Sequence, residues 1–183
     1  MLPVFTVNDI RGWKPCHDPA RYLPEGWRGT ALDILAVEDC PAVDRLWVVL
    51  RQECIDARTI RLFAVWCARQ ALALIDDPDP RSVAACDVAE RYANGDATVD
   101  ELAAAGAAAW DARDAAWAAA GAVARDAAWA AAGAVAWDAA IGAAWAAARA
   151  ANAAVRAAAR AAARDAVRAA QVGHLHEMLW AGQ

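Results

Sequence analysis

The chain has 183 residues and a formal net charge of -5 at pH 7, with 18 basic and 23 acidic side chains. This length suits one domain, or one domain with an extended appendage. The acidic balance argues against general nucleic-acid binding, which usually requires a distinctly basic chain, and much of the 60% hydrophobic content is alanine, which buries little area per residue.

Charged residues interrupt the apolar stretches, so the sequence predicts no transmembrane helix and no membrane partner. The N-terminal residues MLPVFTVNDI lack the basic region and the apolar core of a secretory signal. Five cysteines, an odd number with no CxxC pair, suit reduced thiols better than a disulfide framework. We therefore expect a cytoplasmic protein in which Cys54 and Cys67 are buried and unreactive.

An irregular segment that packs on a helical bundle is predicted for residues 1–40, which hold four of the seven prolines. Thr6 and Thr30 each precede a short helical stretch and are suitable N-caps. Large side chains of this segment are expected to fold it onto the helices that follow: Trp13, Tyr22, Leu23 and Trp27.

A core of short helices is predicted for residues 41–101. The first helix begins near Pro41, because apolar residues recur after it at three- and four-residue spacing. The second covers the stretch DARTIRLFAVWCARQALALIDD, which has an apolar stripe of its own. The residues of the two stripes are Val43, Leu46, Trp47, Leu50 and Cys54, then Ile60, Phe63, Ala64, Cys67, Ala71 and Leu74.

Three signals mark helix boundaries in this core. The motif DDPDP ends the second helix and starts a third, with Asp79 as its cap. An Asn-Gly pair at Gly95 is a typical left-handed helix stop. Thr98 and Glu101 have the spacing of a capping box, in which each side chain satisfies a backbone amide of the other. A fourth helix therefore begins near Thr98.

Residues 102–183 form an alanine-rich array punctuated by tryptophan, for which helix is the expected state. Of the 68 residues from Ala103 to Ala170, 41 are alanine and none is proline. The stretch RDAAWAAAGAVA occurs at 113–124 and again at 125–136, followed by a degraded copy at 137–148. Twelve steps of about 100° turn each copy by roughly 120° from the last, so the tryptophans do not share one stripe.

One unbroken helix over this array would be roughly 100 Å long, with tryptophans on every side that a monomer cannot bury. We therefore expect two or more helices folded back into a bundle, in which tryptophans fill the gaps between alanine faces. Burial against a second copy of the chain is another solution, so a homo-oligomer is a candidate state. The repeat fits either slippage expansion of the coding sequence or a repeated binding surface.

Arginines of the array form a slowly winding ridge, at steps of seven and then four residues. Such a ridge can bind an acidic protein surface, a nucleotide or a nucleic-acid backbone through bidentate contacts. It also fits a solvated face that keeps an alanine helix soluble. The candidate binding residues are four tryptophans and this ridge: Trp117, Trp129, Trp137, Trp145, Arg149, Arg156, Arg160, Arg164 and Arg168.

Familiar catalytic patterns are missing from the sequence, including a glycine-rich phosphate loop, a GxSxG elbow and HExxH. His174 and His176 point about 200° apart on a helix, so with Glu177 they make a poor metal site. Cys16 and His17 are chain neighbours, which rarely aim at each other as nucleophile and base do. The acidic DDPDP residues suit helix capping better than acid–base catalysis. We expect no enzyme activity, no cofactor and no metal.

The stretch from about Leu46 to Ala163 resembles a known group of proteins. Its most specific part, RLFAVWCARQALALIDDPDPRSVAACDVAERYANGDATVDELAAA, is similar to alanine-rich proteins of phages and prophages and to the related bacterial family of immunity proteins. The resemblance implies an α-helical fold, a bacterial host cell and a toxin-neutralising or defence-related role. It transfers no catalytic residues, and tryptophans replace histidines found in some members.

Taken together, the sequence predicts an all-α helical bundle with long Ala/Trp-rich repeat helices and an irregular N-terminal segment. The expected function is to bind and inhibit an unidentified partner protein, because tryptophan and arginine dominate binding energy at interfaces. One alternative is a bundle that sequesters a nucleotide-like anion through arginine and tryptophan. A structural or ice-binding alanine helix is a lesser alternative, since no threonine follows Thr98.

Overall fold

The computed structural model describes residues 1–118 and 162–182, and its side chains at 1–114 and 165–182. The described chain is 65% helical and 3% strand, which confirms the predicted all-α class. The expected long repeat helices fall mostly on residues outside the described part. The elements are β1 (Phe5–Thr6), α1 (Val7–Gly12), a 3-10 turn (Pro19–Arg21), β2 (Arg28–Gly29), α2 (Ala31–Leu35), α3 (Ala42–Val49), α4 (Ala57–Leu72), α5 (Pro80–Asn94), α6 (Val99–Ala118) and α7 (Ala162–Ala181).

The chain divides into two compact units by spatial contact. The first unit contains Met1–Asp56 together with Arg168–Gln183, and the second contains Ala57–Val167. The three segments predicted from the sequence, 1–40, 41–101 and 102–183, were defined by composition, whereas these two units are defined by spatial contact. The three-segment division therefore remains a prediction. Within the described residues, none of the helices combines the length and the apolar character needed to cross a bilayer.

The N-terminal segment contains a small antiparallel sheet that the sequence did not predict, because two-residue strands show no recognisable alternation. In this sheet Phe5 of β1 lies opposite Gly29 of β2. A Cβ at Gly29 would lie 2.7 Å from Cζ2 of Trp27 and 2.9 Å from Cβ of Asp33. Only glycine therefore fits between the sheet and the first turn of α2.

Threonines cap α1 and α2, as predicted. The Thr6 hydroxyl accepts a hydrogen bond from the backbone N–H of Asp9 at 3.2 Å, and the Asp9 carboxylate accepts one from the N–H of Thr6 at 2.8 Å. At α2, the Asp33 carboxylate accepts from the N–H of Thr30 at 2.7 Å. Both helices begin with capping boxes that use aspartate where the commonest pattern has glutamate.

In the first unit, α3 begins after Pro41 as predicted, but it ends at Val49. Leu50 and Cys54 are buried, as their spacing indicated, yet both lie beyond the end of the helix. Side chains of α7 that are buried in the described structure are Gln171, Val172, Leu175 and Leu179.

In the second unit, α4 packs on α5 and α5 packs on α6. Five of the six residues predicted for the α4 stripe are buried; the exception is Leu74, which is 47% exposed because α4 ends at Leu72. Arg61 is also buried, with its guanidinium 5.1 Å from the ring centroid of Tyr92. Burial lowers the pKa of Arg61, and the nearby Tyr92 opposes that shift.

The predicted boundaries of α5 and α6 are confirmed. The Asp79 carboxylate accepts a hydrogen bond from the N–H of Arg81 at 2.9 Å, and Gly95 ends α5 with a φ of +86°. The N–H of Thr98 donates to the Glu101 carboxylate at 2.7 Å, and the N–H of Glu101 donates to the Thr98 hydroxyl at 3.1 Å. Local capping rules are therefore sufficient to predict these helix ends from the sequence.

The buried cysteines are Cys54 and Cys67, as predicted, and also Cys86. Burial raises the pKa of the Cys54 thiol to about 12 and that of the Cys86 thiol to about 12. Because the thiolate is the reactive form of cysteine, both thiols are strongly disfavoured as nucleophiles near neutral pH.

Candidate functional site

Most of the binding residues predicted from the sequence lie outside the described residues. Trp117 belongs to α6 and Arg164 to α7, but no side-chain position is described for either. Arg168 is half-buried on α7 and takes part in an interaction of its own. The predicted residues beyond the described ranges are Trp129, Trp137, Trp145, Arg149, Arg156 and Arg160.

Helix α7 has two distinct faces. Val172, Leu175 and Leu179 recur at three- and four-residue spacing and are buried. The opposite side is exposed to solvent along four turns. We call it the outer face of α7 and define it by Ala169, Ala170, Gly173, His176, Glu177 and Trp180.

Trp180 is the most prominent residue of the outer face, because 69% of it is exposed. Its ring stacks on that of His176, one turn earlier, with centroids 6.4 Å apart and planes within 7° of parallel. The N-terminal half of the face carries only small side chains, so a neighbouring backbone can approach α7 closely there. Trp180 is not among the binding residues predicted from the sequence, although its place outside the apolar spacing of Val172, Leu175 and Leu179 gives a signal for it.

A metal site at the end of α7 receives little geometric support. His174 Nδ1 lies 3.9 Å from Glu177 Oε2, and burial lowers the pKa of His174. Among the residues that the structure describes, no three histidine, cysteine, aspartate or glutamate side chains are grouped as metal ligands would be.

A second notable cluster lies in the first unit, where the Arg51 guanidinium lies close to the rings of two tryptophans. The guanidinium carbon of Arg51 lies 4.0 Å from the ring centroid of Trp47 and 5.2 Å from that of Trp13. Phe5 supports this arrangement, since its ring centroid is 5.5 Å from that of Trp13 and 5.6 Å from that of Trp27. We call Trp13, Arg51 and Trp47 the Arg51 sandwich.

The Arg51 guanidinium differs from the paired arginines of the same structure. Arg11 forms ion pairs with Asp18 at 3.0 Å and with Glu25 at 2.8 Å. Arg51 forms no ion pair with any described carboxylate. Its Nε atom is buried and has no hydrogen-bond partner among the described residues.

Comparisons with models of known protein families, with curated proteins and with solved structures find no match to this chain. The described helices therefore define its class, an all-α protein, and the site must be interpreted from its own chemistry.

Proposed function

We propose that this chain is a non-enzymatic helical interaction protein that binds and inhibits a partner protein. The observation that supports the proposal is Trp180, which is 69% exposed on a helix whose opposite face is buried. Tryptophan is enriched among the residues that dominate interface energies. Beside it lie small residues centred on Gly173, a surface on which a partner helix or strand can pack closely.

The biological setting of this proposal comes from the sequence. The resemblance to phage and prophage proteins and to bacterial immunity proteins suggests an immunity or counter-defence role. The partner is then a toxin or a defence protein of the bacterial cell, and inhibition follows from occupying one of its surfaces.

A site-specific cross-linking experiment tests whether the outer face of α7 is the contact surface. The photoreactive residue benzoylphenylalanine replaces Trp180 in one variant and Val83 of α5 in the control, a residue that is 38% exposed. After illumination in a bacterial lysate, we expect one stoichiometric protein adduct from position 180 and none from position 83. Equal adducts from both positions contradict the proposal.

The purified partner then gives a quantitative test. Trp180→Ala is expected to weaken binding at least about 30-fold, the loss that a hot-spot side chain of about 2 kcal/mol produces. The thermal midpoint should not change, because the side chain is largely exposed. Binding within twofold of the unmodified chain, or undiminished partner activity in a saturated complex, overturns the proposal.

A further inference from the structure

We propose that the Arg51 sandwich is a binding site for a single oxyanion group, the carboxylate or phosphate of a small ligand. This site consists of residues other than those of the outer face of α7 and of the predicted arginine ridge. It goes beyond the proposed protein-binding function, because it assigns a ligand chemistry to the first unit.

The Arg51 guanidinium is held in place without use of its N–H donors. Trp47 and Trp13 contact Arg51 through cation–π interactions at 4.0 and 5.2 Å. Cation–π contacts use the charge of the guanidinium and not its N–H donors, which leaves those donors available for hydrogen bonds. The ring of Phe5 packs against Trp13 and limits the positions open to that ring.

The donors of Arg51 have no partner among the described residues. Within the part of the chain that the structure describes, no carboxylate pairs with Arg51, and its buried Nε atom has no hydrogen bond. Arg51 is partly exposed, and its Nη atoms are not among the buried atoms that lack a partner. Two Nη donors on a fixed plane match the two oxygens of a carboxylate or phosphate.

The charge of residues 1–56 bears on the size of the ligand. Residues 1–56 carry 6 basic and 9 acidic side chains, which gives this segment a net charge of -3. A polyanion such as a nucleic acid is repelled by this excess of acidic groups, because its affinity depends on neutralising many phosphates. Binding of a single oxyanion group at Arg51 is compatible with this negative net charge.

The experiment uses the full chain and three salts at equal ionic strength: sodium phosphate, sodium acetate and sodium chloride. The indole N–H signals of Trp13 and Trp47, assigned with Trp13→Phe and Trp47→Phe variants, report binding by NMR. We expect saturable shifts in the millimolar range with phosphate or acetate, and the salt that saturates identifies the oxyanion class. Identical responses to all three salts overturn the proposal.

Variants of Arg51 separate recognition from general charge. Arg51→Gln should abolish the saturable shift, and Arg51→Lys should weaken it at least fivefold, because an ammonium group lacks the planar fork. The matched control is Arg28→Gln, an exposed arginine of the same unit, which should leave the affinity unchanged. If Arg51→Gln does not fold, the Arg51→Lys variant becomes the test. An unchanged affinity of that variant for the oxyanion contradicts the proposal.

Discussion

Gly95 shows how one residue fixes the end of a helix. Its φ of +86° lies in the left-handed region, where a side chain with a Cβ is strained. The Gly95 N–H donates to the carbonyl of Tyr92 at 3.1 Å, and the Asp96 N–H donates to the carbonyl of Arg91 at 2.8 Å. These bonds satisfy the last carbonyls of α5 and turn the chain toward α6.

Gly95→Ala is expected to lower the free energy of unfolding by about 1–2 kcal/mol, because alanine retains the cost of the left-handed backbone. Urea denaturation followed by circular dichroism measures this change. The control is Gly173→Ala in α7, where a Cβ would meet nothing within 4 Å. That variant should gain up to about 1 kcal/mol from helix propensity. Changes of the same sign in both variants contradict the explanation.

Single residues differ in how far their roles could be predicted. Gly95 was predicted correctly because an Asn-Gly pair after a helix has few alternative conformations. The environment of Arg51 could be predicted only in part, because Trp47 precedes it by one helical turn of sequence whereas Trp13 comes from a distant part of the chain. Burial of Arg61 is similar, because the stacking partner Tyr92 belongs to another helix.

At the scale of one element, α6 depends on its first turn. The first amides of a helix have no partner within it, and the reciprocal bonds of Thr98 and Glu101 satisfy two of them. Arg91 adds a bond from its Nη2 to Glu101 at 3.0 Å, which ties the start of α6 to the end of α5. The box therefore stabilises both the helix and its junction.

Thr98→Ala is expected to lower the free energy of unfolding by about 1 kcal/mol, the typical contribution of a capping side chain. Chemical denaturation provides the measurement. The control, Ser82→Ala, removes a buried hydroxyl that has no hydrogen-bond partner among the described residues. It should be neutral or stabilising, because no made hydrogen bond is lost. An equal loss in both variants would show that the cap contributes nothing specific.

Helix starts were predicted better than helix ends. The side chains of Asp79 and Thr98 accept a hydrogen bond from the first turn, and the Thr30 hydroxyl donates to the Asp33 carboxylate. Each of these helix starts therefore has a local chemical cause. The end of α3 at Val49 has no such cause in the sequence, and the apolar spacing that extends to Cys54 suggested a longer helix. Leu50 and Cys54 are buried in a non-helical segment, and their burial accounts for an apolar spacing that resembles that of a helix.

At the scale of the whole molecule, acid acts together on the described carboxylates whose pKa the fold lowers. Hydrogen bonds and ion pairs lower the pKa of Asp9 through Thr6, of Asp18 through the Ala20 amide, of Glu25 through Arg11, of Asp79 through Arg81, and of Glu101 through Thr98. A carboxylate with a lowered pKa stabilises the fold above its ordinary pKa, and that stabilisation is lost as pH falls through the folded pKa.

The thermal midpoint should therefore fall as pH drops below about 4.5, the ordinary pKa of glutamate. A smaller fall should begin below about 6.5, because burial lowers the pKa of His174 and its protonation in acid opposes folding. Thermal melts at pH 7, 5, 4 and 3 measure both changes. Arg11→Gln, which removes the partner of Asp18 and Glu25, should flatten the fall at the lower pH, and an unchanged slope would contradict this assignment.

The all-α class could be predicted because it depends on composition and on local periodicity, both readable over short windows. The candidate site could not be predicted in the same way. The prediction concentrated on repeated tryptophans and on the arginine ridge, whereas Trp180 and Arg51 stand alone in the sequence, and only the three-dimensional structure shows their exposure and their neighbours. The predicted ridge and repeat stay a hypothesis.

The division of the chain has a consequence for the order of folding during synthesis. The first unit combines Met1–Asp56 with Arg168–Gln183, so its last helical residues leave the ribosome more than a hundred residues after the first. Until then, the hydrophobic surface that Leu175 and Leu179 help to form is incomplete. We therefore expect the N-terminal segment to complete its packing only after Arg168–Gln183 has been synthesised.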